Sequence, residues 1–154
     1  MITLRDSIEI KATPEEIFEW LAQRFEDKES YRAWHRDHRD LRWVKGRPLQ
    51  KGSIVYAEEY LHGRLHKLRF RITKMERNRV IEYKALFPLS IVAPGNAFLI
   101  EPKGENRCIF TAMGSLRLPR WLCEKAHNKC RKKIGATLQH MKEEGENLKK
   151  ALEQ

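Results

Sequence analysis

In LQHMKEEGENL (residues 138–148), His140 and Glu144 stand four residues apart, so on a helix their side chains share one face. Such a pair is either two boundary side chains in a weak i,i+4 contact or two ligands of one metal ion. Further imidazoles occur in YRAWHRDHRDLRW, at His35 and His38, and adjacent carboxylates in AEEY, at Glu58 and Glu59. Two imidazoles with two carboxylates would make an N2O2 donor set suited to Zn2+. A carboxylate turned into an apolar interior strengthens that reading, because an unpaired buried charge is costly and normally brings a cation with it.

The elements that must position these groups can be read from hydrophobic period. SIEIKA (7–12) alternates with period two, and TPEEIFEWLAQ (13–23) then changes to helical spacing through Ile17, Trp20 and Leu21. Thr13 is the expected N-cap, with Pro14 at the first helical position and Glu16 closing a capping box. DKESYRAWHRDH reads as a second short helix, capped by Asp27 or Ser30, facing Tyr31 and Trp34 inward and running to about Asp37. That places His35 and His38 near its end. The charges around them, Arg36, Asp37, Arg39 and Asp40, suit a solvated helix end as well as a cavity edge.

From Leu41 to Leu118 six strand-like segments follow one another between Gly, Pro and Asn turns, which predicts an antiparallel meander. From Pro119 onward one long amphipathic helix is expected, with Ile134, Met141 and Leu148 at the centre of its apolar stripe. Glu144 and His140 lie on one flank of that stripe, at the border of the interior. Trp121 and Leu122, at the helix start, fit either a partner surface, a homodimer included, or an anchor of the helix.

Strand parity tells which side chains face the interior. In LHKLRFRIT, Leu68, Phe70 and Ile72 alternate with Lys67, Arg69 and Arg71, which puts His66 on the inner parity. In SIVYAEEYL the parity is ambiguous; Val55, Ala57 and Leu61 favour Glu59 as the inward carboxylate, and Glu58 is the alternative.

The order β, α, α, six β, long α, entered through IEIKATPEEIFEWL, resembles the α+β helix-grip fold of the START and birch-pollen-allergen superfamily, which includes polyketide cyclases and lipid-transfer proteins. The resemblance spans nearly the whole chain. It implies a curved antiparallel sheet of about seven strands gripping the C-terminal helix, with a ligand cavity between them. His66, Tyr56, Phe70, Tyr83 and Met141 are candidate cavity residues for a small hydrophobic, aromatic or polyketide-like ligand. The donor set is similar to the zinc site of the 2,4-diacetylphloroglucinol hydrolase family, helix-grip enzymes that cleave a carbon–carbon bond next to a ketone. The matching residues are His38, Glu59, His140 and Glu144, with His35 or Glu58 as alternates. In such a site zinc would act as a Lewis acid and supply hydroxide near neutral pH, and His66, Tyr56 or Tyr83 could hydrogen-bond the substrate's oxygens.

Composition limits the remaining choices. At 154 residues and 18.3 kDa, a single domain over 1–154 is expected. No segment has the apolar length of a transmembrane span, and the charged start MITLRDSIEI lacks a signal peptide's apolar core, so a cytoplasmic location is expected. Cys108, Cys123 and Cys130, an odd number without C-x-x-C spacing, argue against both a disulfide framework and a cysteine zinc site. The net charge of +10 favours anionic partners, yet KCRKKIG and RLHKLRFR come without a nucleic-acid-binding motif. A solvated basic face is the preferred meaning, ahead of nucleic-acid or acidic-membrane binding. Two functional readings stand: a zinc-dependent hydrolase, which is preferred, and a metal-free carrier or sensor of a hydrophobic ligand.

Overall fold

The computed structural model describes residues 1–154, the side chain of Leu122 excepted. The chain runs β1 (Ile2–Ile10), α1 (Pro14–Arg24), α2 (Lys28–Trp34), β2 (His38–Lys45), β3 (Ile54–Leu61), β4 (Arg64–Glu76), β5 (Val80–Ala85), β6 (Gly95–Gly104), β7 (Arg107–Leu116), α3 (Arg120–Lys125) and α4 (His127–Leu152). The seven strands form one antiparallel sheet in the order β1-β7-β6-β5-β4-β3-β2. Strands β2 to β7 are a meander, and β1 closes the far edge by pairing with β7 from Ile2↔Leu116 to Ile10↔Cys108. This is the expected helix-grip fold, with α4 lying across the sheet and packing chiefly on β1.

Local chemistry explains most element boundaries. Thr13 and Glu16 form the reciprocal capping box that starts α1, and Asp27 caps α2 by accepting the Ser30 N–H at 2.8 Å. The core joins the helices to the sheet through Trp34, Phe110, Ile10, Ile17, Leu21 and Leu148, all buried. Gly145 lets α4 approach the sheet closely, since a Cβ there would meet Ile8 Cγ2 at 3.1 Å.

Four expectations are corrected. The second helix stops at Trp34, short of Asp37, and His35 is extended (φ −150°, ψ 141°). There the Asp37 N–H donates to His35 Nδ1 at 2.9 Å, a local side-chain bond that competes with another helical turn. Strand β2 then begins at His38, three residues before the apolar Leu41 that marks it in the sequence. Strand β1 begins at Ile2, ahead of the alternating run, because pairing with β7 extends through its polar half. The C-terminal helix is interrupted at Ala126 (φ −115°, ψ 42°), which separates α3 from α4 without a side-chain cap. Trp121 on α3 is 61% exposed, so it does not anchor the helix, and the Leu122 side chain lies outside the described residues.

Candidate functional site

The end of α2 builds one side of the site. A helix leaves its last four carbonyls without intrahelical partners, and here side chains take two of them up. His38 Nδ1 donates to the Tyr31 carbonyl at 2.9 Å, and Asn147 Nδ2 donates to the Trp34 carbonyl at 2.9 Å. Trp34 Nε1 donates to the Glu144 carbonyl at 3.0 Å. These bonds tie α2 to α4 and fix the His38 ring, which also stacks on Tyr31 at 3.9 Å between centroids. Because a carbonyl can only accept, the proton is on Nδ1 and His38 presents Nε2 to the interior.

A β-bulge gives His38 its inward direction. His38 pairs with Glu59 and Asp40 with Glu58, so two β2 residues oppose one β3 residue. Strict alternation from buried Leu41 would turn Arg39 inward; the irregularity brings in His38, 1% exposed, and leaves Arg39 in solvent. Its cross-strand partner Glu59 lines the interior, Nε2 and Oε1 being 3.8 Å apart. Tyr31 Oη donates to the same Glu59 oxygen.

From α4 come His140 and Glu144, 7% and 6% exposed. Glu144 Oε2 is 3.1 Å from His38 Nε2 and 3.4 Å from His140 Nε2. The other ring nitrogen of His140 faces Asp37 Oδ2 at 3.4 Å. Both imidazoles therefore have Nδ1 held by an acceptor and Nε2 turned to a common point, the arrangement that second-neighbour groups impose on metal-binding histidines. Donor atoms of His38, His140 and Glu144 all lie within 4.8 Å of one another. Donor atoms at about 2.0–2.1 Å from one tetrahedral ion would be about 3.3–3.4 Å apart, and the separations of 3.1 and 3.4 Å from Glu144 to the two imidazoles leave room for a metal ion among these three residues; Glu59 stands outside that group, 3.8 Å from His38. The donor chemistry fits as well. With Nδ1 of each ring engaged, Nε2 can face the Glu144 carboxylate only through a proton or a shared cation.

The charges support each other. Burial opposes the imidazolium of His140, but Glu144, with Glu59 and Asp37 beside it, outweighs burial and pushes the pKa up to about 10. At Glu144 burial favours the neutral acid, and the facing His140 and His38 reverse that preference, holding the carboxyl far below its ordinary range. Burial, followed by the Glu59 charge, raises Tyr31 well above an ordinary phenol. For Tyr83 burial and then Glu144 act in the same direction. Both phenols stay O–H donors at neutral pH.

Beside these groups is a cavity of about 280 Å3, walled by apolar residues such as Leu41, Val55, Phe98 and Met141. Of the residues named for it from sequence, His66, Phe70, Tyr83 and Met141 line it, and Tyr56 does not. Tyr56 has the parity opposite to Val55, Ala57 and Glu59. It lies on the outer face under Arg42, 4.5 Å from the ring centroid, and donates to Glu58 at 2.9 Å. Glu58, the alternate ligand, is bonded to Tyr56 and does not line the cavity. His35 does not line the cavity: it is buried behind His140, 4.4 Å between ring centroids, in a second cluster with Asp37 and His140 whose donor atoms lie within 4.8 Å of one another. Its Nδ1 is occupied by the Asp37 N–H and its Nε2 faces Glu143 at 3.4 Å. Burial, then His140 and His38, lower its pKa, so it is a neutral support for that ring. The solvated helix end considered for these two histidines is not what forms.

Sequence reasoning missed Asp37 and Tyr31. Asp37 could have been suspected from its place between the histidines in HRDH; Tyr31 showed only as an inward-facing aromatic residue. Arg64, Lys67, Arg69 and Arg71 are all exposed on β4, and among the described residues no helix is long and apolar enough to cross a membrane.

A family model described as polyketide cyclase/dehydrase and lipid transport matches residues 1–153. The chain belongs to this family. Solved structures agree in fold at low identity. A START superfamily protein from Mycobacterium smegmatis has a TM-score of 0.69 at 18% identity, covering 98% of this chain and 97% of its own. The Zhui aromatase/cyclase from Streptomyces sp. R1128 has a TM-score of 0.68 at 14% identity, with 97% and 95% covered. Ginseng major latex-like protein 151 from Panax ginseng has a TM-score of 0.71 at 12% identity, with 98% and 97% covered. No curated protein matches the chain by sequence. Family and cavity together support binding of a small hydrophobic ligand.

Proposed function

We propose that this member of the polyketide cyclase/dehydrase family is a zinc-dependent hydrolase that cleaves a carbon–carbon bond next to a ketone in an acylphenol or 1,3-diketone. The convergence of His38 Nε2, His140 Nε2 and Glu144 at the wall of an apolar cavity, with both Nδ1 atoms already held, carries this reading. His38, His140 and Glu144 would hold the ion, with Glu59 as a fourth donor beside His38. When bound, zinc supplies Lewis-acid polarisation of a ketone oxygen and lowers the pKa of water.

The chain's own groups do the rest. Phe70, Phe98 and Met141 give an aromatic acyl group an apolar bed and exclude bulk water. Tyr31 holds the Glu59 carboxylate toward His38 through its phenolic O–H. Tyr83, kept protonated, and His66 offer polar contacts along the wall to a phenolic or enolic oxygen. The overall reaction adds water across the bond: the ketone carbon leaves as a carboxylic acid, and the ring or methylene carbon receives the proton.

A metal-free hydrophobic carrier is the second reading, favoured by one observation: two imidazoles already face Glu144, so protons alone can balance its charge. Elemental analysis of the tag-free protein beside His140→Ala separates the two. About one zinc per chain, lost in the variant together with acylphenol cleavage, supports the hydrolase. No zinc, even after addition of the ion, with tyrosine and tryptophan fluorescence still quenched by hydrophobic ligands, leaves the carrier.

A further inference from the structure

Cys123 and Cys130 are seven residues apart, one on each side of the interruption at Ala126, and their Sγ atoms are 3.1 Å apart. In an unbroken helix residues at that spacing are about 10.5 Å apart along the axis, whereas a disulfide needs Cα atoms no more than about 6.8 Å apart. The thiols meet because α3 bends away from the line of α4. Nothing in CEKAHNKC, which has neither Gly nor Pro, demands that bend. Both cysteines are half-buried, so a small thiol reagent can reach them; Cys108, in the core on β7, is fully buried.

We propose that Cys123 and Cys130 are a dithiol site that closes to an intramolecular disulfide, fixing the bend between α3 and α4. The co-reactant is a small-molecule disulfide such as oxidised glutathione. One cysteine thiolate attacks it, the glutathione S–S bond breaks, and one glutathione leaves as a thiol. The second cysteine then attacks the mixed disulfide, forming the Cys123–Cys130 bond and releasing the second glutathione thiol. Two cysteine protons pass to the two leaving thiolates, and the two electrons pass to glutathione. The bonded form cannot straighten into one helix. The bend joins the end of β7, whose Leu116 lines the cavity, to α4, whose Thr137 and His140 line it too. The bond therefore ties down the segment that links two cavity walls.

The test is incubation of the folded, full-length protein with oxidised glutathione, followed by thiol titration, intact mass and peptide mapping. The expected result is a fall from three free thiols to one, a cross-link between the peptides holding Cys123 and Cys130, and no retained glutathione. Cys123→Ser and Cys130→Ser should each keep one glutathione on the remaining cysteine. In the oxidised wild type, amide exchange over residues 120–130 should slow. Three free thiols, stable glutathione on both cysteines, disulfides between chains, or unchanged exchange after cross-linking would each overturn the proposal.

Discussion

Replacing Glu144 by Gln in metal-stripped protein should flatten the alkaline dependence of stability. His140 has its pKa pushed from an ordinary 6.5 to about 10 by the carboxylates facing it, Glu144 first among them after burial is counted. A group whose folded pKa is raised contributes fully below its unfolded pKa and loses that contribution as pH climbs through the folded one. At about 1.4 kcal/mol per pH unit, the interval from 6.5 to about 10 corresponds to about 5 kcal/mol in the wild type. About 3 kcal/mol would be left at pH 8. This agrees with the roughly 3–5 kcal/mol expected on breaking a buried ion pair. Urea unfolding in a chelator, at half-unit steps from pH 6 to pH 10, measures it. The wild type should lose several kcal/mol more than Glu144→Gln over that range, since the other titrating groups are common to both. Parallel curves would show that His140 and Glu144 do not share a proton in the folded chain, and the electrostatic account of the site would fail.

Three further outcomes are expected. Zinc uptake should weaken as pH falls from 8 to 5, because the ion replaces protons between the imidazoles and Glu144; isothermal titration in two buffers of different ionisation enthalpy would detect the released protons. Asp37→Asn should keep the fold while lowering zinc affinity about 10–100-fold, as loss of a group that orients a ligating histidine does, measured by competition with a chromogenic chelator. Ala57→Leu, at a buried cavity-lining position, should abolish fluorescence quenching by hydrophobic ligands and leave zinc content unchanged, at an overpacking cost of about 1–3 kcal/mol.

The sequence announced the helix-grip frame because its signals are local: a capping box at Thr13, alternation along β4, and an apolar stripe on α4. His140 and Glu144 were visible for the same reason, their spacing being a property of one helix. What escaped it depends on contacts between elements. His38 faces inward through a bulge that shows only once β2 is paired with β3, and counting back from Leu41 would have chosen Arg39. Arg36, Asp37, Arg39 and Asp40 hid the burial of His35 and His38, because a charged neighbourhood in sequence looks the same whether the imidazoles between are wet or sealed against α4. Tyr56 was misplaced because both parities of β3 carry apolar side chains. The bend at Ala126 has no Gly or Pro to mark it.

His38 and Glu144 are separated by 106 positions in the chain, with β3 and Glu59 between them. No stretch of the unfolded polypeptide can offer this donor set, and it is complete only when α4 is docked against the start of β2. An ion captured there would close a loop of about a hundred residues. It would act on the rate at which the protein comes apart, with little effect on the rate at which it assembles. The C-terminal helix would then be released slowly in the presence of the ion and quickly without it, so that the lifetime of the native state becomes a record of occupancy.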